Sequence, residues 1–507
     1  VSYQNVMVLQ DLPEMKPVKA PVGETDVLLI RNGDTVRAYQ ATCPHAGAPL
    51  EQGAICDDQL ICPWHKAVFN LSDGSLAEPL ALSHLQHYAL RIENGMVQVD
   101  PEPLAAKQPG KGVDNTEVLV ILGSGAAGSA AAWTLRDEGF NGKLILVDRE
   151  TEAPYDRTAL SKFVPSGKMK ISEVPSMLDK DFLQQVERVH GDVGRLDSRK
   201  QQLHFADGST LHFDKLLIAS GGVPQRPDIE GKALFGVHLL RSIEQADSLL
   251  KEVDSQQKLV IIGNSFIGME LASALRAKKI DVQVIARQPL PFKKQFGEQI
   301  ATFFRELHEE NGVRFVEGEV AALQGERHVS GVELKSGDVV PADVVLFATG
   351  IAPATGFIHD IELLDDGSLP TDAQLQVGKN IWAAGDIATC PTAAGKLRIE
   401  HYRVAHQQGR VAAKNMLGAA EAFDRVPFFW TAHFGTRYEY LGHASEWDQF
   451  ELLGSLTDKS FIAFYGQQGK LAAAASCGMY TLTAGLIQRM QQPMTVEQAI
   501  SLAETYL

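Results

Sequence analysis

The chain has 507 residues, 45% of them hydrophobic and 22% charged, with a formal net charge of −16. That length exceeds what one core organises, so several domains of a soluble globular protein are expected. No stretch reaches the roughly 20 apolar residues of a membrane span, and the acid excess argues against nucleic acid as a partner, since phosphate contacts need clustered Lys and Arg.

The opening residues VSYQNVMVLQDLPEMK lack the basic start, apolar run and small-residue cleavage site of a secretory signal. Of five cysteines, Cys43 and Cys62 sit in related contexts while Cys56, Cys390 and Cys477 are scattered. That is no disulfide framework, and it predicts a cytoplasmic location. Residues 1–103 read as short strands joined by the turn signals RNGD, SDG and ENG, hence a small all-β domain. Residues 104–115, LAAKQPGKGVDN, read as a linker.

Within the β-rich region, Cys43-x-His45 and Cys62-x-x-His65 stand sixteen residues apart. A zinc finger keeps like ligands together, whereas here each loop offers one thiolate and one imidazole. Two thiolates on one iron and two imidazoles on the other is the ligand set of a Rieske 2Fe-2S centre. CPHAGAPLEQG and CPWHKAVFN closely resemble the Rieske ferredoxin domain over roughly residues 3 to 102. Pro79, in SLAEPLALSHL, lies where that family closes a third, proline-containing loop over the cluster. The two bridging cysteines and the Ser and Tyr of the respiratory type have no counterpart: Ala46, Gly47 and Ala48 follow the first His and Trp64 precedes the second. Fewer hydrogen bonds to the sulfurs imply a potential toward the low end of the Rieske range. The resemblance is to the ferredoxin type that serves oxygenases.

From Glu117 onward, apolar strands (VLVILG, KLILVD, KLVIIG, VQVIA, VVLFATG) alternate with helical patterns, predicting parallel sheets with crossover helices. VLVILGSGAAGSAAAWTL places Gly123, Gly125 and Gly128 between a strand and a helix, with Ala126 and Ala127 opening the helix. These glycines allow a tight turn and close approach of a pyrophosphate to the helix N-terminus. Asp148 and Glu150 end the next strand 20 and 22 residues beyond Gly128, the spacing of a ribose-binding carboxylate. APYDRTALSKF, FDKLLIASGG and NIWAAGDIAT then follow in order. With them the chain resembles the FAD-dependent pyridine-nucleotide oxidoreductases, nearest the ferredoxin-reductase and apoptosis-inducing-factor-like branch.

That resemblance implies a glutathione-reductase-like plan. FAD is expected on residues 116–239 and 359–428, NAD(P) on 240–358, and a small α+β domain over 429–507. It implies that Glu150 binds the adenosine ribose, that Arg157 and Lys162 contact FAD, and that Ala219, Ser220 and Gly221 pass nearby. It further implies that Asp386 holds the ribityl chain beside Gly385, and it adds Val193 to the FAD contacts. Thr158 stands where the family has Pro. The second fingerprint, KLVIIGNSFIGMELASAL, keeps Gly263 and Gly268 but has Ser265 at the middle position, followed by Phe266 and Ile267. By resemblance it is the NAD(P) site, with Gly350 nearby. Arg287 stands where an acid would bind a 2′-hydroxyl; it could pair with a 2′-phosphate or stack on adenine, which leaves NADH and NADPH open. Glu270 and Lys162 match the family's pair beside the flavin, so they are the expected catalytic-side residues, with no general base assigned. Trp430, in VPFFWTAHFG, is read equally well as a neighbour of the isoalloxazine or as a core residue.

His401 and His406 have an H-x₄-H spacing, yet five helical residues turn the side chains roughly 140° apart, and Arg398 stands where an acidic ligand would precede them. An iron site there is not expected, so the chain is not itself an oxygenase. PYDRTALSKFVPSGKMK contains no Cys, which argues against disulfide-reductase chemistry. The expectation is electron flow from NAD(P)H through FAD and a Rieske cluster to an external redox protein, a terminal oxygenase. The alternatives are a redox signalling protein like apoptosis-inducing factor and a general NAD(P)H oxidoreductase that reduces small molecules directly.

Overall fold

A computed structural model describes residues 2–105, 115–253, 257–392 and 395–506. Most of the expected linker, 106–114, lies outside the described residues.

The N-terminal unit is all β. Strands Gln4–Val8, Met96–Pro103, His87–Glu93, Thr35–Gln40, Thr25–Asn32 and Val18–Val22 neighbour one another in that order in one antiparallel sheet. A second antiparallel sheet runs Ala54–Cys56, Gln59–Ile61, Val68–Asn70, Leu76–Glu78. Its strands are three residues long, too short for a core of their own. They present Ala54, Ile61 and Val68 to Phe428, Leu441, Ile462 and Phe464 of the C-terminal region, all at most 5% exposed and in one shared cluster. The two cluster-type loops thus grow from a sheet that is completed by another part of the chain.

The first α/β sheet orders Glu187–His190, Lys143–Asp148, Val118–Leu122, Lys215–Ile218, Ile381–Ala383 and Gln376–Gly378. All pairs are parallel except the last. The second orders Val237–His238, Val344–Phe347, Lys258–Ile262, Asp281–Ala286 and Arg314–Glu317, parallel throughout. Central strands such as Leu119–Leu122 and Leu259–Ile262 are buried along their length, as sheets covered on both faces require. Each glycine-rich turn enters a helix, Ala126–Asp137 or Phe266–Arg276. The C-terminal region is a five-stranded antiparallel sheet followed by helices Tyr480–Arg489 and Val496–Glu504. Among the described residues no helix is long and apolar enough to cross a membrane.

Helix Tyr402–Met416 crosses Ala126–Asp137 closely: a Cβ on Gly409 would lie 2.1 Å from the Ala127 carbonyl oxygen. It is buried together with Arg403, Gln407 and Arg410, so those groups need partners. The N-terminal unit supplies them. Arg403 donates to the Lys66 carbonyl at 2.8 Å, Gln407 to Glu78 at 2.7 Å and Arg410 to the Leu76 carbonyl at 3.2 Å.

Candidate functional site

The loop tips are set by short backbone bonds: Cys43 N–H to Ala48 O and Cys62 N–H to Ala67 O, both 2.8 Å. These turns bring the four expected ligands together as two like pairs. His45 Nδ1 and His65 Nδ1 face each other at 3.1 Å, and the thiols of Cys43 and Cys62 are hydrogen-bonded to one another. Among the described residues no three or more His, Cys, Asp or Glu side chains converge where one ion would sit. Two ligands for each of two irons fit this arrangement. Burial and then Arg437 push His65 well below its usual pKa, which keeps the imidazole neutral as ligation requires. Against burial, the Cys43 hydrogen bond and the backbone N–H groups of His65 and Trp64 bring Cys62 down to about 7.

A cavity of about 550 Å³ opens at the end of the first α/β sheet. Gly123, Gly125, Ala126, Ala127, Glu150, Arg157, Lys162, Val193, Ala219, Ser220, Gly221, Gly385, Asp386 and Trp430 all line it. Gly128 does not, and its role is packing: a Cβ there would lie 1.9 Å from Gly123 O. A Cβ on Gly123 (φ +101) would meet Ala219 O at 2.3 Å, whereas Gly125 faces open space at the helix N-terminus. That backbone cradle fits the pyrophosphate of a dinucleotide. Glu150 pairs with Arg157 at 2.6 Å and accepts from Tyr155 Oη at 2.5 Å. Asp148 accepts from Ser124 N–H at 2.8 Å, and Arg241 fixes Asp386 at 2.7 Å.

Lys162 and Glu270 form an ion pair at 3.0 Å, nearly enclosed. Glu270 also accepts from Ser161 Oγ at 2.6 Å and Thr431 Oγ1 at 2.7 Å. Phe266 and Ile267 reach the same cavity from the second helix. Ser265 has an ordinary reason to replace glycine. Its φ of −68° suits any residue, and its hydroxyl caps the helix by accepting from Gly268 N–H. Gly263 and Gly268 keep close packing, with added Cβ atoms meeting Ala348 O at 2.5 Å and Gly263 O at 2.8 Å. Arg287, largely exposed, pairs with Glu319 at 3.2 Å; Gly350 (φ +101) has open space beside it.

Trp430 joins the two centres. It lines the flavin-sized cavity, and its ring centroid is 5.5 Å from that of His65. Lys162 Nζ and the Arg437 guanidinium each stand 4.9 Å from the Trp430 ring. A second cavity of about 1220 Å³ lies beside the cluster loops, lined by His45, His65, Phe163, Trp430, Arg437 and Tyr480 among others. His401 lines the first cavity and His406 the second, so the two histidines do not converge. Pro79 offers its carbonyl to Arg403 Nε at 3.3 Å, and its neighbour Leu80 lines both cavities. Cys56 is a free, half-buried thiol near Gly485 O.

Sequence reasoning missed Arg241, Tyr155, Lys66, Arg437 and Glu439. Lys66 is fully buried and reaches Glu439 at 3.1 Å; burial lowers its amine to about 8, with Glu439 opposing.

A dinucleotide cradle, a second nucleotide fold and a paired Cys–His pocket define a flavin-dependent oxidoreductase with an attached iron–sulfur centre. The sequence comparisons agree: residues 117–409 match the pyridine nucleotide-disulphide oxidoreductase family and residues 2–89 the Rieske [2Fe-2S] domain. The chain belongs to that oxidoreductase family, with a Rieske domain fused at its N-terminal side, and its cofactors are FAD, a Rieske cluster and NAD(P)H. It is 33% identical over 488 residues to apoptosis-inducing factor 3 of Homo sapiens, covering 92% of this chain and 80% of that one. It is 32% identical to the biphenyl dioxygenase system ferredoxin–NAD(+) reductase component of Paraburkholderia xenovorans, covering 65% and 81%. The ferredoxin reductase for the CYP199A2 system of Rhodopseudomonas palustris superposes with a TM-score of 0.71 at 26% identity, over 76% of this chain and 97% of that one. The chain is an NAD(P)H-dependent reductase.

Proposed function

We propose that this reductase sends electrons from the flavin site past Trp430 to the Rieske centre, and from there to a separate redox protein, a terminal oxygenase. The carrying observation is the 5.5 Å separation of Trp430 and His65, with Trp430 also in the flavin cavity wall. FAD, when bound, accepts a hydride and releases electrons singly, and a Rieske cluster carries one at a time.

The chain's residues divide that work. Gly123, Gly125 and Ala126 hold the pyrophosphate, Glu150 the ribose, and Asp386, braced by Arg241, the ribityl chain. Phe266 and Ile267 position the nicotinamide, with Arg287 at the adenosine end. The Lys162–Glu270 pair fixes a polar edge beside the flavin and excludes water from it. Cys43 and Cys62 hold one iron, His45 and His65 the other. The acceptor assignment draws on relatives named as reductase components of oxygenase systems. A charge of −16 weighs against a DNA-binding role.

Anaerobic turnover with NADH or NADPH and a ferredoxin-type acceptor tests this. His65→Cys should abolish acceptor reduction while leaving flavin reduction intact; undiminished acceptor reduction in that variant refutes the route. A second reading, direct reduction of a small molecule, is favoured by the cavity of about 1220 Å³ against His45 and Trp430. Three of the five tryptophans, Trp64, Trp133 and Trp430, line it, so quenching of intrinsic fluorescence by candidate acceptors would report their entry.

A further inference from the structure

Lys66 follows a cluster ligand and is unusual in two ways. Its φ of +58° lies in the left-handed region, which costs a residue with a Cβ about a kcal/mol or more. Among the described residues with φ in that region, it is the only charged side chain that is fully buried. The chain therefore bears both strain and desolvation to keep an ammonium at this point.

The ammonium is enclosed by acceptors. Besides Glu439 it donates to Thr483 Oγ1 at 3.0 Å, Tyr480 O at 3.4 Å and Pro63 O. Glu439 is itself wholly enclosed and takes a second cation: Arg437 Nη2 stands 2.9 Å away. The guanidinium lies over Trp430 at 4.9 Å and Tyr480 at 5.6 Å. Two cations thus share one carboxylate, leaving one net positive charge. The neighbouring ion pairs are matched among themselves, and Asp156 is a further carboxylate acting on His45. Lys162 is matched by Glu270, while Arg403 and Arg425 surround Glu78, with Glu421 also on Arg425. Docking alone would be served by a neutral pair at less desolvation cost. The excess charge acts on the Cys62–His65 loop, where Lys66 and Arg437 both exert Coulombic effects on His65.

Reduction of a 2Fe-2S centre adds one electron, hence one negative charge, and forms or breaks no bond to the protein. We propose that Lys66 and Arg437 form a fixed positive charge that raises the reduction potential of the Rieske centre, with Glu439 setting its size. This opposes the low potential that sparse hydrogen bonding to the sulfurs implies. Lys66 and Arg437 are positioning residues, acting through the field at the cluster. The inference rests on the reading that Cys43, His45, Cys62 and His65 hold the Rieske cluster.

Mediated redox titration of the full chain, followed by the electron paramagnetic resonance signal of the reduced cluster, tests it without NAD(P)H or acceptor. Lys66→Met and Arg437→Gln should lower the midpoint, and Lys66→Arg should leave it near wild type; in that Lys66→Arg background, where the cation stays charged without its carboxylate, Glu439→Gln should raise it. Opposite signs for Lys66→Met and for Glu439→Gln in the Lys66→Arg background distinguish charge from packing, since loosening the interface would move both the same way. If Lys66→Met fails to assemble a cluster, the Lys66→Arg, Glu439→Gln pair decides: an unchanged or lowered midpoint overturns the proposal. Normal shifts with no flavin-to-cluster transfer would overturn the electron route instead and leave this inference standing.

Discussion

Replacing Arg403 by Met asks whether the Rieske domain is fixed on the reductase or swings on its linker. Arg403 is 3% exposed and donates to Lys66 O at 2.8 Å and Pro79 O at 3.3 Å. It also helps Arg425 hold the Glu78 carboxyl below the usual range against the effect of burial. Met fills a similar volume but orphans two carbonyls, each costing about 1–3 kcal/mol, and removes one cation from Glu78. The interface should weaken by about 2–5 kcal/mol, or roughly 30- to 4,000-fold in the dissociation constant. A protease site placed within 106–114 allows the measurement. After cleavage, wild-type fragments should stay together through gel filtration at micromolar concentration, and the Arg403→Met fragments should separate. If the wild-type fragments separate as readily, docking is weak and the fixed geometry around Trp430 is not the working one.

Gly128→Val should yield protein without flavin, because its first added carbon meets Gly123 O at 1.9 Å and the turn must open; stoichiometric flavin on extraction refutes that. Trp430→Ala should leave flavin reduction by NAD(P)H within about twofold and slow cluster reduction at least tenfold, read as separate phases in anaerobic stopped flow; equal cluster rates would remove Trp430 from the path. His308 is pushed down to about 4 by burial, which outweighs its contacts to Phe304 O and Met269 O. Its folded pKa is thus below the unfolded value of about 6.5, so its contribution is complete above pH 6.5 and lost as pH falls toward 4, about 3 kcal/mol in all. His308→Asn should flatten the stability–pH slope by up to one proton in that window, and an unchanged slope rules out His308 as its source.

The two Cys–His loops and both glycine-rich turns could be read from sequence because their geometry is local. Cys43 and His45 share one tight loop, and Gly123, Gly125 and Gly128 one strand-to-helix turn. Ser265 looked like a defect only because a fingerprint does not say that its middle position has φ of −68° and can be a capping serine. The residues that connect the parts carried no such signal. Arg241 meets Asp386 across 145 positions of chain, Arg403 meets Lys66 O across 337, and Lys66 meets Glu439 across 373. A charged residue in a sequence is read as solvated surface by default. Only the fold reveals that Arg403, Lys66 and Glu439 are enclosed.

A fixed cluster constrains where electrons leave. His65 is 8% exposed and packs its ring toward Trp430, which lines the cavity assigned to the flavin. His45 is half-buried beside the larger cavity, and Ala46 and Gly47 are exposed next to it. In the proposed route a protein acceptor approaches over the Ala46–Gly47 tip, and a small acceptor enters the cavity, which Ala46 also lines. Ala46→Trp should slow both kinds of acceptor by adding bulk at the tip and leave flavin-to-cluster transfer unchanged, since Trp430 packs against His65. If Ala46→Trp slows neither protein acceptors nor small ones, electrons leave by a path that bypasses both His45 and the tip.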